Sequence, residues 1–112
     1  MTTTASTAAP LTLAQVTEAL QAANAAPFTP SRASGCGRAY VVMTCGKDSL
    51  KLVVKACKAL GLMYLAKAYG TAGKAIYIGY DNADGKALGK SKVFAAVLNE
   101  RGLPCYDDAA SD

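Results

Sequence analysis

Hydrophobic positions follow two rhythms along the chain. Near the start, Leu13, Val16, Leu20 and Ala23 recur at helical spacing, and Thr12 with Gln15 three residues on forms a capping box at their head. This predicts a helix within residues 11–26, ended by Pro27. Residues 27–37 carry Pro27, Pro30, Ser31, Ser34, Gly35 and Gly37 and read as a linker. Beyond the linker the rhythm becomes that of a strand: residues 38–45 are β-branched and bounded by glycines. A helical stretch over 48–60 is stopped by Gly61, residues 62–69 read as a second strand, and 70–73 as a turn. A third strand follows over 74–80, then a loop over 81–85, a helix running to Arg101, and a short last strand over 103–106. Residues 1–10, rich in Thr and Ala, are expected to be a disordered arm, and 107–112 an acidic tail.

From residue 38 onward the two halves match in character. Each has an apolar strand, a helix, a Leu-Gly-Leu or Arg-Gly-Leu exit and a final strand with a Tyr. The order βαββαβ predicts an α+β domain of the ferredoxin-like, split-βαβ type over residues 38–106, with one antiparallel sheet and two helices on one face. One long helix over 48–69 is the alternative, and Gly61 inside it argues against that.

Strand alternation divides the sheet. If Val41, Met43, Leu62, Tyr64, Ile76 and Ile78 point at the helices, the other face holds Tyr40, Val42, Thr44, Leu65, Lys67, Tyr69 and Tyr77. That second face is too apolar to stand bare in water. Three covers are available to it: the N-terminal helix, a second copy of the chain giving a homodimer, or stacked bases. On the first repeat helix Leu50, Val53, Val54, Cys57 and Leu60 face inward, and on the second Phe94, Val97 and Leu98 do. Lys47, Lys51, Lys55 and Lys58 line the opposite side of the first, while Lys86, Lys90, Lys92 and Arg101 lie over or near the outside of the second.

Charge sharpens this picture. All 12 basic residues lie between Arg32 and Arg101 against four acids, giving that region +8, while the flanks contribute −1 and −3 to a net +4. Acids are nearly absent from the Lys-bearing helices, whereas an ordinary solvated face mixes both signs. An anionic partner is therefore expected. The chain has no His, which removes the usual neutral-pH general base and the commonest metal ligand. Cys36, Cys45, Cys57 and Cys105 show no Cys-x-x-Cys spacing, so no metal site and no cofactor are expected. Without a signal-like or membrane-spanning run, the expected setting is cytoplasmic, with reduced thiols and no membrane partner.

Two local resemblances accompany these patterns. Ala39-Tyr40-Val41-Val42-Met43 resembles the first-strand consensus of the RNA-recognition motif in placing an aromatic second, and Tyr77-Ile78-Gly79-Tyr80 is similar to the end of its third-strand consensus. Gly73, Lys74 and Ala75 stand where that consensus places a basic residue, Gly and an aromatic. The resemblance implies base stacking on Tyr40 and Tyr77. Thr44-Cys45-Gly46-Lys47-Asp48-Ser49 looks like the PP-loop of ATP pyrophosphatases, and implies nucleotide binding at Gly46, Asp48 and Ser49. Thr44 and Cys45 depart from that motif, and either Asp48 or Ser49 could instead cap the helix that follows. The run 81–85, Asp-Asn-Ala-Asp-Gly, begins like a calcium loop but lacks its later glutamate, and reads as a turn and helix entry.

The function expected from these observations is non-enzymatic binding of nucleic acid or of a nucleic-acid-handling complex. The contacts would come from Lys47, Lys51, Lys55, Lys58, Lys86, Lys90, Lys92 and Arg101, with Tyr40, Lys67, Tyr69 and Tyr77 on the sheet. The alternatives are a protein-binding inhibitor or adaptor from a phage or other mobile element, of the anti-CRISPR or antirestriction kind, and a PP-loop-like nucleotide-binding protein.

Overall fold

A computed structural model of the chain describes residues 11–31, 36–66, 74–82 and 84–111. The elements in order are α1 (Leu13–Ala25), β1 (Cys36–Met43), α2 (Lys47–Leu60), β2 (Tyr64–Leu65), β3 (Ala75–Asn82), α3 (Lys86–Glu100) and β4 (Cys105–Ser111). The strands form one antiparallel sheet in the order β2-β3-β1-β4, so the domain is α+β with three helices and a four-stranded sheet.

The predicted division of faces is present. Val41, Met43 and Ile76 join the helices in the main core, with Leu62, Tyr64 and Ile78 packed at its border. Tyr40, Val42 and Ala75, bordered by Leu65 and Tyr77, form a separate cluster on the other side of the sheet. The register slips once: Ala39 lies opposite Gly79 and Tyr40 opposite Tyr77, so Ile78 is the extra residue of a β-bulge. The bulge keeps both Ile78 and Asp81 on the helical side.

The N-terminal helix begins as its capping box demands. The Gln15 amide donates to the Thr12 hydroxyl at 3.1 Å, and the Thr12 amide donates to the Gln15 side chain at 2.8 Å. Its position is decided by burial, because Val16, Ala19, Leu20 and Ala23 all enter the main core. α1 packs against both α2 and α3 and makes the third member of the helical layer. It is therefore not the cover of the tyrosine-bearing face.

Other boundaries differ from the pattern reading. β2 is only Tyr64–Leu65 within the described residues, while Lys67, Tyr69 and the 70–73 turn lie outside them. The expected arm over 1–10 and Arg32 lie outside as well. β4 continues past Tyr106 to Ser111, so Asp107 and Asp108 are strand residues opposite Val41 and Tyr40. They show no apolar alternation, and pairing with β1 rather than local propensity holds them extended. Neither Asp48 nor Ser49 caps α2: Gly46 holds the cap position with no side-chain hydrogen bond.

The segment read as a linker also does more than connect. The Ser31 amide donates to the Gly85 carbonyl at 2.9 Å, so residues 29–31 run against the start of α3. A Cβ at Gly89 would lie 2.0 Å from the Thr29 carbonyl oxygen, and one at Gly85, where φ is +75°, 1.6 Å from that of Ser31. Glycine is thus required twice in the first turns of α3, for close backbone approach. The same turns are fixed by carboxylates: Asp81, 2% exposed, accepts from the amides of Ala87 and Leu88, and Asp84 accepts from that of Lys86.

The free edge at β4 starts closed. The Asn99 side chain on α3 accepts from the Cys105 amide at 3.2 Å and donates to the Cys105 carbonyl at 2.8 Å, as a neighbouring strand would. Further along, the Ala109 amide donates to the Asp108 carboxylate at 2.8 Å. Such edge closure discourages pairing with other chains.

Candidate functional site

Helix α2 gives the most extended charged feature. Its apolar side turns Val53, Ala56 and Cys57 into the core, with Leu50, Leu52 and Leu60 beside them. That anchors the opposite side outward, where Lys47, Lys51, Lys55 and Lys58 are all exposed. At 3.6 residues per turn and a rise of 1.5 Å, the four fall within an arc of about 80° and span about 16 Å. None of them is paired with an acid among the described residues.

The terminal charges show that helix stability alone does not account for the stripe. Asp48 in the first turn and Lys58 in the last suit the helix dipole, but Lys47 at the very start opposes it.

The basic residues of α3 are less uniform. Lys86 and Lys92 are exposed, and Lys90 is half-buried. Arg101, just beyond the helix, faces Glu18 of α1 at 3.7 Å in a surface ion pair. Such a pair is weak, yet it draws Arg101 toward α1 rather than leaving it an independent contact.

The tyrosines occupy the other side of the domain. Tyr40 and Tyr77 meet edge to face with ring centroids 5.8 Å apart. Tyr40 is 1% exposed and Val42 3%, so within the single chain they are already shielded, and Tyr40 offers no ring face for a base to stack on. Of the two tyrosines singled out by the RNA-recognition-motif resemblance, only Tyr77 keeps accessible surface. Pairing brings two further tyrosines onto this face: Tyr80 beside Arg38 and Tyr106 beside Val42, 47% and 42% exposed. Pattern reading gave them no binding role, because the bulge and the extension of β4 set their facing. Lys67 and Tyr69 lie outside the described residues.

The PP-loop-like residues Gly46, Asp48 and Ser49 do fall between a strand and a helix, at the junction of β1 and α2. Gly46 has open space around a Cβ position and an ordinary negative φ, so the backbone there makes no demand for glycine. Among the described thiols, Cys57 and Cys105 are buried and Cys45, in this loop, is half-buried. Burial pushes Cys57 up to about 11 and Cys105 up to about 12, and raises Cys45 more modestly against the opposing effect of its backbone hydrogen bond. At neutral pH these sulfurs are protonated, which suits packing rather than nucleophilic attack.

Among the described residues, no three His, Cys, Asp or Glu side chains gather in a metal-binding arrangement. Likewise, no helix among them is long and apolar enough to cross a membrane. Comparison of the chain with family models, curated proteins and solved structures returns no match.

Proposed function

We propose that this protein is a non-enzymatic binding module that engages nucleic acid through the lysine-bearing side of its helical layer, on a ferredoxin-like βαββαβ domain. The strand order β2-β3-β1-β4 and the two strand-helix-strand halves support the fold reading; α1 is an addition that packs between the two helices of the repeat.

The observation that carries the functional reading is the α2 stripe. Four exposed ammonium groups about one turn apart, unpaired among the described residues, form a row of positive charge suited to a row of phosphates. Lys86 and Lys92 of α3 are exposed as well, separated from the α2 stripe by α1, which carries no basic residue. A phosphate backbone rewards such a row, because each phosphate neutralised releases condensed counterions. Catalysis has less support: the chain holds no His, and the thiols of Cys57 and Cys105 are buried and protonated.

Fluorescence anisotropy of labelled mixed-sequence DNA and RNA, titrated with the protein at low salt, tests this reading. Saturable binding that weakens steeply as salt rises is expected. An absence of binding to either nucleic acid at low salt contradicts it.

A further inference from the structure

The geometry points to a duplex as the nucleic-acid ligand, gripped through its phosphates by Lys47, Lys51, Lys55 and Lys58 with no reading of base sequence. This rests on the nucleic-acid reading above and narrows it. Three observations decide the form of the ligand.

The first is what accompanies the lysines. α2 contains no Arg, Asn or Gln, the side chains best suited to bidentate contacts with base edges. Its other exposed positions are Ala59, which has no polar side chain, and Asp48, a lone acceptor at one end of the row. Lysine ammonium groups set against phosphates position a protein on a backbone and carry no sequence information.

The second is where the aromatic residues are. Proteins that hold single strands pair a basic groove with aromatic platforms on which successive bases stack. Here α1, α2 and α3 together contain one aromatic residue, Phe94, and it is fully buried. The exposed Tyr80 and Tyr106 lie with Tyr77 on the face of the sheet away from the helices. Of the other described aromatic residues, Phe28 follows α1 and Tyr64 is half-buried against the core. A strand lying along α2 therefore finds charge but no stacking surface on the helix itself, and its unpaired bases would remain in water.

The third is shape. The lysines stand on the convex outside of one helix, within an arc of about 80° and a length of about 16 Å, so they meet one line of phosphates. A duplex offers that line on its exterior with the bases already stacked and paired inside. No unstacking or base contact is then needed from the protein.

The test uses the full chain with a labelled 20-base-pair DNA duplex, an RNA duplex of the same sequence, a DNA duplex of shuffled sequence, and the matching single strands. Either duplex is expected to bind at least about fivefold more tightly than its single strands, and the shuffled DNA duplex within about twofold of the original. The exposed double variant K51Q/K55Q, checked for native circular dichroism, is expected to weaken both DNA duplexes by the same factor, about tenfold. Single strands bound as tightly as duplexes, or a tenfold preference between the two DNA sequences, overturn this inference while leaving nucleic-acid binding intact. Failure of every probe to bind removes the nucleic-acid reading and this inference together.

Discussion

Asp81, at the end of β3, accepts a 2.8 Å hydrogen bond from the backbone amide of Ala87 in the first turn of α3. Its second carboxylate oxygen accepts from Leu88 at 3.0 Å. One buried side chain thus ties the central sheet to the helix and satisfies two amides that have no partner within the helix. Replacing Asp81 with Ala leaves the buried amide of Ala87 and the partly buried one of Leu88 without an acceptor, a cost of about 1 to 3 kcal/mol. Urea denaturation of D81A should show a correspondingly lower midpoint, and D81N, which keeps one acceptor oxygen, should fall between it and the native chain.

Gly89 separates local from tertiary effects. In an isolated helix, Gly to Ala stabilises by roughly 0.5 to 1 kcal/mol. Here the added methyl meets the Thr29 carbonyl oxygen at 2.0 Å and Pro30 Cα at 3.1 Å, both backbone atoms. G89A is therefore expected to lower the melting temperature, and the loss should be large because residues 29–31 must lift off α3.

The N-terminal helix is part of the core. Leu20 and Val16 are fully buried among residues of the sheet, α2 and α3. Truncating Leu20 to Ala should cost about 2 to 5 kcal/mol, the range for a large-to-small change in a close-packed interior. A surface change on the same helix, Gln21→Ala, should stay within about 0.5 kcal/mol. Equal effects of the two in thermal denaturation would mean that α1 is peripheral.

Alkaline pH should weaken the fold through its thiols. Cys57 and Cys105 hold their protons up to about 11 and 12, whereas in the unfolded chain a thiol ionises near its ordinary value of 9.0. Between those values the native state binds more protons than the unfolded state, so stability falls as pH rises. The contribution is fully present below pH 9 and is lost from there toward pH 11 to 12, by up to about 1.4 kcal/mol per pH unit for each thiol. Replacing Cys57 with Ala should flatten this part of a stability-against-pH curve; an unchanged slope would show that Cys57 does not contribute to it.

Much of this architecture was readable from the residues, and the misses share a physical origin. The alternation of Tyr40, Val41, Val42 and Met43 correctly assigned two sheet faces, because each strand residue must point to one side or the other. The i, i+4 spacing of the α2 lysines likewise placed them together on the outside. What escaped was settled by contacts between distant segments. The place of α1 depended on which apolar surface it met, and its own stripe is silent on that. Asp107 and Asp108 became strand residues through pairing with β1. Nothing in the pattern marked Gly85 and Gly89 as contact positions; only the fold brings the backbone of residues 29–31 against them. Tyr40 looked available for stacking because alternation specifies the side of a sheet and not the degree of burial there.

The central claim, a row of α2 lysines neutralising phosphates, is tested most directly by the slope of log affinity against log salt concentration for a mixed-sequence DNA duplex. Four contacts predict a slope of about −3.6, or about a hundredfold loss of affinity for a fourfold rise in salt. Each single replacement of Lys47, Lys51, Lys55 or Lys58 by Gln should reduce the magnitude of the slope by about 0.9. A slope near zero, or one that stays the same in all four variants, would contradict the account.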